Sequence, residues 1–487
     1  MSDSIVLSRI SGGAIDGRLQ ILRIRQRLFK SLHNVLVNER ENLLEAIQID
    51  EGFTQEEAQV VFASALIELR NHYDQLDFQA DLAQEYSVAR KQSNESRRVP
   101  ITMTYLIPDS FTLFYSVITA LSAALEAGSC FIVEFDNTNS KTSALLKRII
   151  SSSLDQDAFG IVESRAPEVF LSKCAVVDQR PDGSNSKIPA QILLYSPKSR
   201  NVALVDRTCD IRLAAREIVT SRLAYNGASR YSVDLVLVNE FVAARFQSAL
   251  IEELQHAQSN IAAKKSSSLA KKVVRSKFPT ILEDDAKKGA VELVIGDSNV
   301  GAVNILNRSQ IATQKIPSSR VVPCLKITSL DDAIDFLSTE PQQEFPIAAF
   351  YLFAAEREAK YLSQYIICRA TYVNHIPAQL AIGPMAPPQY PANLRMRYTR
   401  DMFEEPSPQV VPGSRSHPVS TIFGKASFLV DLAQRPLKPT GQPPSGAWGF
   451  FEQGIIIGAI VYLLPMVGAV TCGIAYTGWT GYKKFWS

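Results

Sequence analysis

The stretch "SRNVALVDRTCDIRLAAREIVTSRLAYNGASRYSVDLVLV", Ser199 to Val238, decides the fold. Asp210 stands where a helix cap is needed, and "DIRLAAREIVTSRLA" behind it reads as a helix. Asn226-Gly227 reads as a turn, and the run Val233 to Val238 that follows has the period of a strand. Helix, turn and strand in this order form half of an αβ unit.

The same alternation extends outward on both sides. "ITMTYLIP", Ile101 to Pro108, reads as a strand, a helix runs from about Phe114 to Ala127 and stops at Gly128, and "CFIVEF" is a second strand. Strand, helix, glycine and strand make a βαβ unit. A helix near Ser140 to Leu154 and strands at "GIVE", "CAVVD" and "AQILLY" continue a parallel, doubly wound sheet. Downstream of the opening stretch, "EFVAARFQSALIEELQ" is amphipathic, and "CLKITSLDDAIDFLST" and "IAAFYLFAAEREAKYLSQYI" repeat the αβ pattern. Upstream, from Gly17 to about Glu85, leucines at 19, 22, 28, 32 and 36 and again at 43 and 44 line apolar stripes of paired helices. After about Ala386 the chain becomes rich in proline and reads as an extended loop and a linker.

Composition narrows the class. The 487 residues carry 51 basic and 49 acidic side chains, a formal net charge of +2, so bulk attraction to nucleic acid is not expected. The six cysteines, at 130, 174, 209, 324, 368 and 472, stand singly with no CxxC, which fits buried thiols in a reducing compartment better than a zinc site or a disulfide framework. The five histidines are dispersed as well, and no metal is expected. The basic stretch from Lys264 to Lys277 reads as a solvated face or as a contact with anionic lipid.

The first residues show no secretory signal pattern, whereas Gly454 to Tyr476 holds no charge and is long enough to cross a bilayer as a helix. Trp448, Phe450 and Phe451 flank it on one side, and Trp479, Tyr482, Phe485 and Trp486 on the other, as interfacial aromatic belts do. The expectation is a single C-terminal anchor in the endoplasmic reticulum membrane with the folded body in the cytosol.

Ser199 to Val238 resembles the core of the aldehyde dehydrogenases, with Asn201, Asp206, Asp210, Ala214, Ala215, Arg216, Gly227, Asp234 and Val238 in register. "LSAALEAGSCFIVE" and "SLDDAIDFL" are similar to further segments of that family in the right order, and the hydrophobic tail resembles its class 3, fatty-aldehyde branch. The resemblance implies an α/β fold with a Rossmann-type dinucleotide-binding-like domain (1–195), an α/β catalytic-like domain (196–385), a Pro-rich extension and linker (386–447) and a C-terminal transmembrane helix (448–487). It also implies NAD(P)-dependent oxidation of an aldehyde through a thiol adduct.

Each group that this chemistry needs is replaced. Arg230 stands at the nucleophilic cysteine, and an arginine cannot attack a carbonyl at ordinary pH. Phe111 stands at the oxyanion asparagine and Ser196 at the general-base glutamate. Glu134 stands at the lysine that meets the cofactor ribose, while Ile316 and Ser318 stand at the glutamate and phenylalanine that hold the nicotinamide ribose. "VVDQRPDGSNSKIP" lacks the glycine turn that cradles a pyrophosphate. The expectation is therefore a membrane-anchored homologue without dehydrogenase activity and without a bound cofactor. It would act as a binding or scaffolding partner in a lipid or small-molecule pathway, as a homodimer or with an active paralogue, and with a hydrophobic small molecule as a conceivable ligand. Two alternatives stay open: an NAD-independent isomerase or cyclase using Arg230 with Asp109, Ser110, Tyr225 or Tyr231, and an active dehydrogenase using one of the scattered cysteines. Pairing of Arg230 with a nearby carboxylate is the plain structural reading.

Overall fold

The structure, a computed structural model, describes residues 3–135, 140–181, 188–265, 289, 291–297, 300–308, 320–339, 346–411, 419–438, 440–441 and 449–485. The chain divides into two compact units, Met1–Pro412 and Gly413–Ser487. Residues 266–277 of the basic stretch, and Ile316 and Ser318, lie outside the described residues.

The first unit is built on two sheets. Strands β1 (Arg98–Pro100), β2 (Met103–Ile107), β3 (Cys130–Glu134), β4 (Phe159–Val162), β5 (Ala175–Asp178) and β6 (Ile192–Tyr195) come first in the chain. They are followed by β7 (Arg200–Val205), β8 (Leu235–Asn239), β9 (Val291–Asp297), β10 (Val300–Ile305), β11 (Val321–Ile327), β12 (Ile347–Phe353), β13 (Thr371–Val373) and β14 (Glu404–Pro406). One sheet has the order β4-β3-β2-β5-β6, all parallel. The other has the order β13-β12-β7-β8-β11-β10-β9, parallel except for the β9–β10 pair.

The reason the opening stretch forms β7 and β8 is visible in its packing. Along β7, Ala203 and Val205 enter the core on one face of the sheet while Val202 and Leu204 enter the core on the other. A strand covered on both faces needs an unbroken apolar run, which "NVALV" supplies. In the smaller sheet the helix Leu113–Ala127 is buried almost all round, packed among the N-terminal helices and β3. Gly128, at φ 95°, ends it, and a Cβ there would press on the Leu19 carbonyl oxygen at 3.0 Å.

The smaller sheet reverses its strand order between β2 and β5, so their carboxyl ends open a crevice of the kind in which doubly wound sheets place ligands. Asp109 follows β2 at this crevice, Glu134 closes β3, and Gln179 and Arg180 follow β5.

The proline-rich region past Ala386 is more ordered than its composition implies. Glu404–Pro406 pairs antiparallel with β1, and the second unit carries helical turns from Val419 to Ala433. The apolar spacing between Pro418 and Pro436 is helical, and the flanking prolines hide it in a reading by composition. Also in the second unit, Glu452–Phe485 is one helix of 34 residues, long and apolar enough to cross a membrane. Its α-helical pattern widens to a π-turn at Ala459–Leu463, just ahead of Pro465.

Candidate functional site

The loop that carries Arg230 begins where the helix Ile211–Leu223 ends. Asp210 caps that helix as its sequence requires, accepting hydrogen bonds from the backbone N–H groups of Arg212 and Leu213. Three successive residues then take left-handed conformations: Tyr225 at φ 53°, Asn226 at φ 58° and Gly227 at φ 71°. Asparagine and glycine suit this backbone, but a tyrosine there is strained and must be held. Its amide N–H donates to Glu57 Oε1 at 2.7 Å, and its ring meets Phe53 and Phe111 edge-on, with centres 5.2 and 6.3 Å away. The Asn226 amide donates to the carbonyl oxygens of Glu51 and Gly52. The turn "YNG" is thus latched to the N-terminal helices.

This latch aims Arg230 at the end of β2. Its Nε donates to Asp109 Oδ2 at 2.8 Å and its Nη2 to Asp109 Oδ1 at 2.7 Å, the planar fork-to-fork geometry that only arginine offers a carboxylate. The guanidinium carbon lies 5.8 Å from the centre of the Phe111 ring. Asp109 is almost wholly buried, and burial pushes its carboxyl above the usual range while Arg230 pulls it back. Its backbone N–H donates to Gln179 Oε1, and the Gln179 amide donates to Ser116 O and Tyr398 Oη. Arg230 therefore joins the loop before β8, in one sheet, to the carboxyl end of β2 in the other.

Phe111 is buried and contributes a ring, not an amide donor. The next two backbone N–H groups, of Thr112 and Leu113, donate to Glu51 Oε2 at 2.8 Å and Oε1 at 3.2 Å, so a half-buried carboxyl caps the helix Leu113–Ala127. Burial outweighs those two donors and pushes the Glu51 carboxyl up to about 8.

The other expected positions stand apart from Arg230 in their bonding. The Ser196 hydroxyl is buried and donates to Met385 O at 3.4 Å. Glu134 is buried at the end of β3, where Arg165 reaches it with Nε at 2.6 Å and Nη2 at 3.0 Å and Tyr105 Oη donates at 2.7 Å. Tyr105 Oη in turn accepts the Ala166 N–H. Beside it, Arg180 folds back on the fully buried Asp178 with bonds of 2.9 and 2.7 Å. Sequence reasoning named Asp109 among the residues that could act with Arg230, but it missed Glu51, Gln179 and Arg165. Their separations in the chain leave no local signal for those contacts.

None of the cysteines in the first unit is primed for nucleophilic work. Burial pushes the thiols of Cys130, Cys174 and Cys324 up to about 12 and that of Cys209 to about 11, and it raises that of Cys368 as well.

The fold is that of the aldehyde dehydrogenases. AldH from Staphylococcus aureus in a substrate-bound state superposes with a TM-score of 0.66 at 16% identity, covering 88% of this chain and 99% of that one. An oxidoreductase from Marinobacter aquaeolei gives 0.64 at 16% identity over 84% and 90% of the two chains. An NAD-dependent benzaldehyde dehydrogenase from Corynebacterium glutamicum gives 0.63 at 11% identity over 85% and 89%. In sequence the chain is similar to aldehyde dehydrogenases that include family 3. It is 22% identical to a dimeric NADP-preferring aldehyde dehydrogenase of Canis lupus familiaris over 260 residues, 50% of this chain and 55% of that protein. It is also 22% identical to the chloroplastic aldehyde dehydrogenase family 3 member I1 of Arabidopsis thaliana, over 48% and 46% of the two chains. The matched region spans about half the length of these curated relatives. No family model matches the chain.

Proposed function

We propose that this chain is an aldehyde dehydrogenase-like protein without dehydrogenase activity that serves as a binding or scaffolding partner at a membrane, in a lipid or small-molecule pathway. The observation that carries this reading is the Arg230–Asp109 ion pair, since position 230 matches the position at which the resemblance requires a thiol. A guanidinium stays protonated at any ordinary pH and has no electron pair to offer a carbonyl. The raised thiols elsewhere in the first unit supply no substitute.

The fold implies NAD or NADP at the carboxyl ends of β2, β3 and β5, and the described residues there do not fit it. Where the resemblance requires a lysine toward the ribose, Glu134 offers a carboxylate whose two oxygens are taken by Arg165 and Tyr105. We assign 1–195 and 196–385 as the dinucleotide-binding-like and catalytic-like domains and 448–487 as an anchor in the endoplasmic reticulum membrane, with the body in the cytosol. The free cysteines fit a reducing compartment. A homodimer or a heteromer with an active paralogue is the assembly that such a role requires.

The test is direct. The purified full chain is incubated with aliphatic and aromatic aldehydes and either nucleotide, and formation of reduced nicotinamide is followed. Calorimetry with NAD and NADP runs in parallel. No turnover and no micromolar binding are expected, for the natural chain or for Arg230→Cys, whose new thiol would still lack a base, an oxyanion donor and a cofactor. Reduced nicotinamide from either protein, or micromolar binding, would overturn the reading.

A further inference from the structure

The second unit carries an apolar face that none of its described contacts covers. From Val419 to Ala433 the backbone is helical, with a tighter turn at Phe423–Lys425. Ile422, Phe423, Ala426, Leu429, Val430 and Ala433 recur at three- and four-residue steps and so share one side of it. All are exposed, Phe423 at 79% and Val430 at 52%. The opposite side carries Thr421, Gly424, Ser427 and Asp431 together with Phe428, and Lys425 and Leu432 lie towards its border. In water such a face is unfavourable, so something apolar must meet it.

Two observations select a bilayer as that partner. The candidate spanning helix starts only 16 residues further on, residues 434–449 lying between Ala433 and Phe450. Even fully extended at ~3.5 Å per residue, this tether keeps the amphipathic helix within about 55 Å of the point where the chain enters the membrane. Continuous tethering raises the effective concentration of lipid at the helix far above that of a diffusing protein partner. Charge points the same way: Lys425 balances Asp431 within the helix, and Arg435 and Lys438 just beyond it make residues 419–438 net basic, as suits an anionic lipid surface.

We propose that Val419–Ala433 is an interfacial helix that lies along the bilayer surface with the Ile422, Phe423 and Val430 side in the acyl boundary, so that the protein grips the membrane at two points. The proposal rests on the reading of Glu452–Phe485 as a membrane span, and the two can be separated by experiment.

The full chain, with Cys209→Ser and Cys368→Ser to remove the half-buried thiols, is reconstituted in phosphatidylcholine vesicles containing one fifth phosphatidylserine. An environment-sensitive thiol label is placed on native Cys472 in the span or, with Cys472→Ser added, on Phe423→Cys, Val430→Cys or Asp431→Cys. Quenching by iodide in the water and by nitroxide lipids at shallow and deep acyl positions is then read. Labels at 423 and 430 are expected to be quenched by the shallow nitroxide at least threefold more than the label at 431, and the label at 472 by the deep nitroxide. Iodide quenching of 423 and 430 equal to that of 431 would overturn the interfacial helix, and lipid quenching at 472 would in that case leave the span standing. Protection of 423 and 430 from both iodide and lipid would also overturn it, since a protein surface would then cover the face. Lipid quenching at 423 and 430 with none at 472 would leave an interfacial helix but overturn the span and with it the two-point attachment.

Discussion

At position 230 the sequence replaces a small side chain that the resemblance requires with a large cation, and the fold neutralises that cation on the spot. The geometry is bidentate and Asp109 is buried, so the pair belongs with those that are costly to break from one side. Asp109→Ala should therefore lower stability by about 2–4 kcal/mol, somewhat less than for a fully enclosed pair because Arg230 is partly exposed. Asp109→Leu combined with Arg230→Met should recover at least half of that loss in urea unfolding, and a double variant no better than Asp109→Ala would show that the pair is not the source of the effect. Glu51 supplies a second residue-scale outcome. Its folded carboxyl sits at about 8 against 4.5 in an unfolded chain, so between these values the folded state holds a proton that the unfolded state has lost. Stability contributed by this group is full at low pH and falls as pH rises from about 4.5 to 8. Glu51→Gln should remove that dependence, so its stability relative to the natural chain should improve by a few kcal/mol from pH 5 to pH 8. Parallel curves for the two proteins over this range would refute the assignment.

At the scale of the element, the strands β2 to β6 of the smaller sheet and β8, β11 and β12 of the larger were legible because their signals are local, whereas β9, β10 and β13 were not read. Apolar runs in β7 and β8, an aspartate ahead of Ile211–Leu223 and a glycine after Leu113–Ala127 each act within a few residues. The site was half legible for the same reason. Positions 111, 134, 196 and 230 could be singled out from order alone, whereas what each side chain bonds to could not. Arg165 reaches Glu134 across 31 residues, and Glu51 reaches Thr112 across 61. The helix Val419–Ala433 was missed because the prolines that flank it were weighed more heavily than its period. One element depends on a close approach that no pattern announces: a Cβ on Gly13, in the helix Asp3–Ile15, would stand 2.0 Å from the Asp157 carbonyl oxygen. Backbone cannot yield at that contact as a side chain can. Gly13→Ala should then lift this helix from the edge of the smaller sheet, cost about 1–3 kcal/mol and expose the first turns to limited proteolysis. Unchanged cleavage kinetics and melting temperature would show that the contact is slack.

For the whole molecule, the proposed membrane attachment has the plainest readout. Alkaline carbonate should leave the full chain in the membrane pellet while detergent releases it, because a 34-residue apolar helix is not held by charge. Release by carbonate alone would place the chain among peripheral proteins. Within the first unit, the two sheets have separate cores and could in principle melt separately. The Arg230–Asp109 pair bears on this, since it ties the carboxyl end of β2 to the loop before β8 across 121 residues of chain. A crosslink of that kind makes the loss of either sheet expose and unpair a charge on the other, and so couples their free energies. Scanning calorimetry of the natural chain should accordingly show one endotherm for this unit, and the paired replacement of Asp109 by Leu and Arg230 by Met should divide it into two even if the average melting temperature hardly moves. The arginine proposed to stand in the nucleophile's place would then be the one that makes two sheets unfold together.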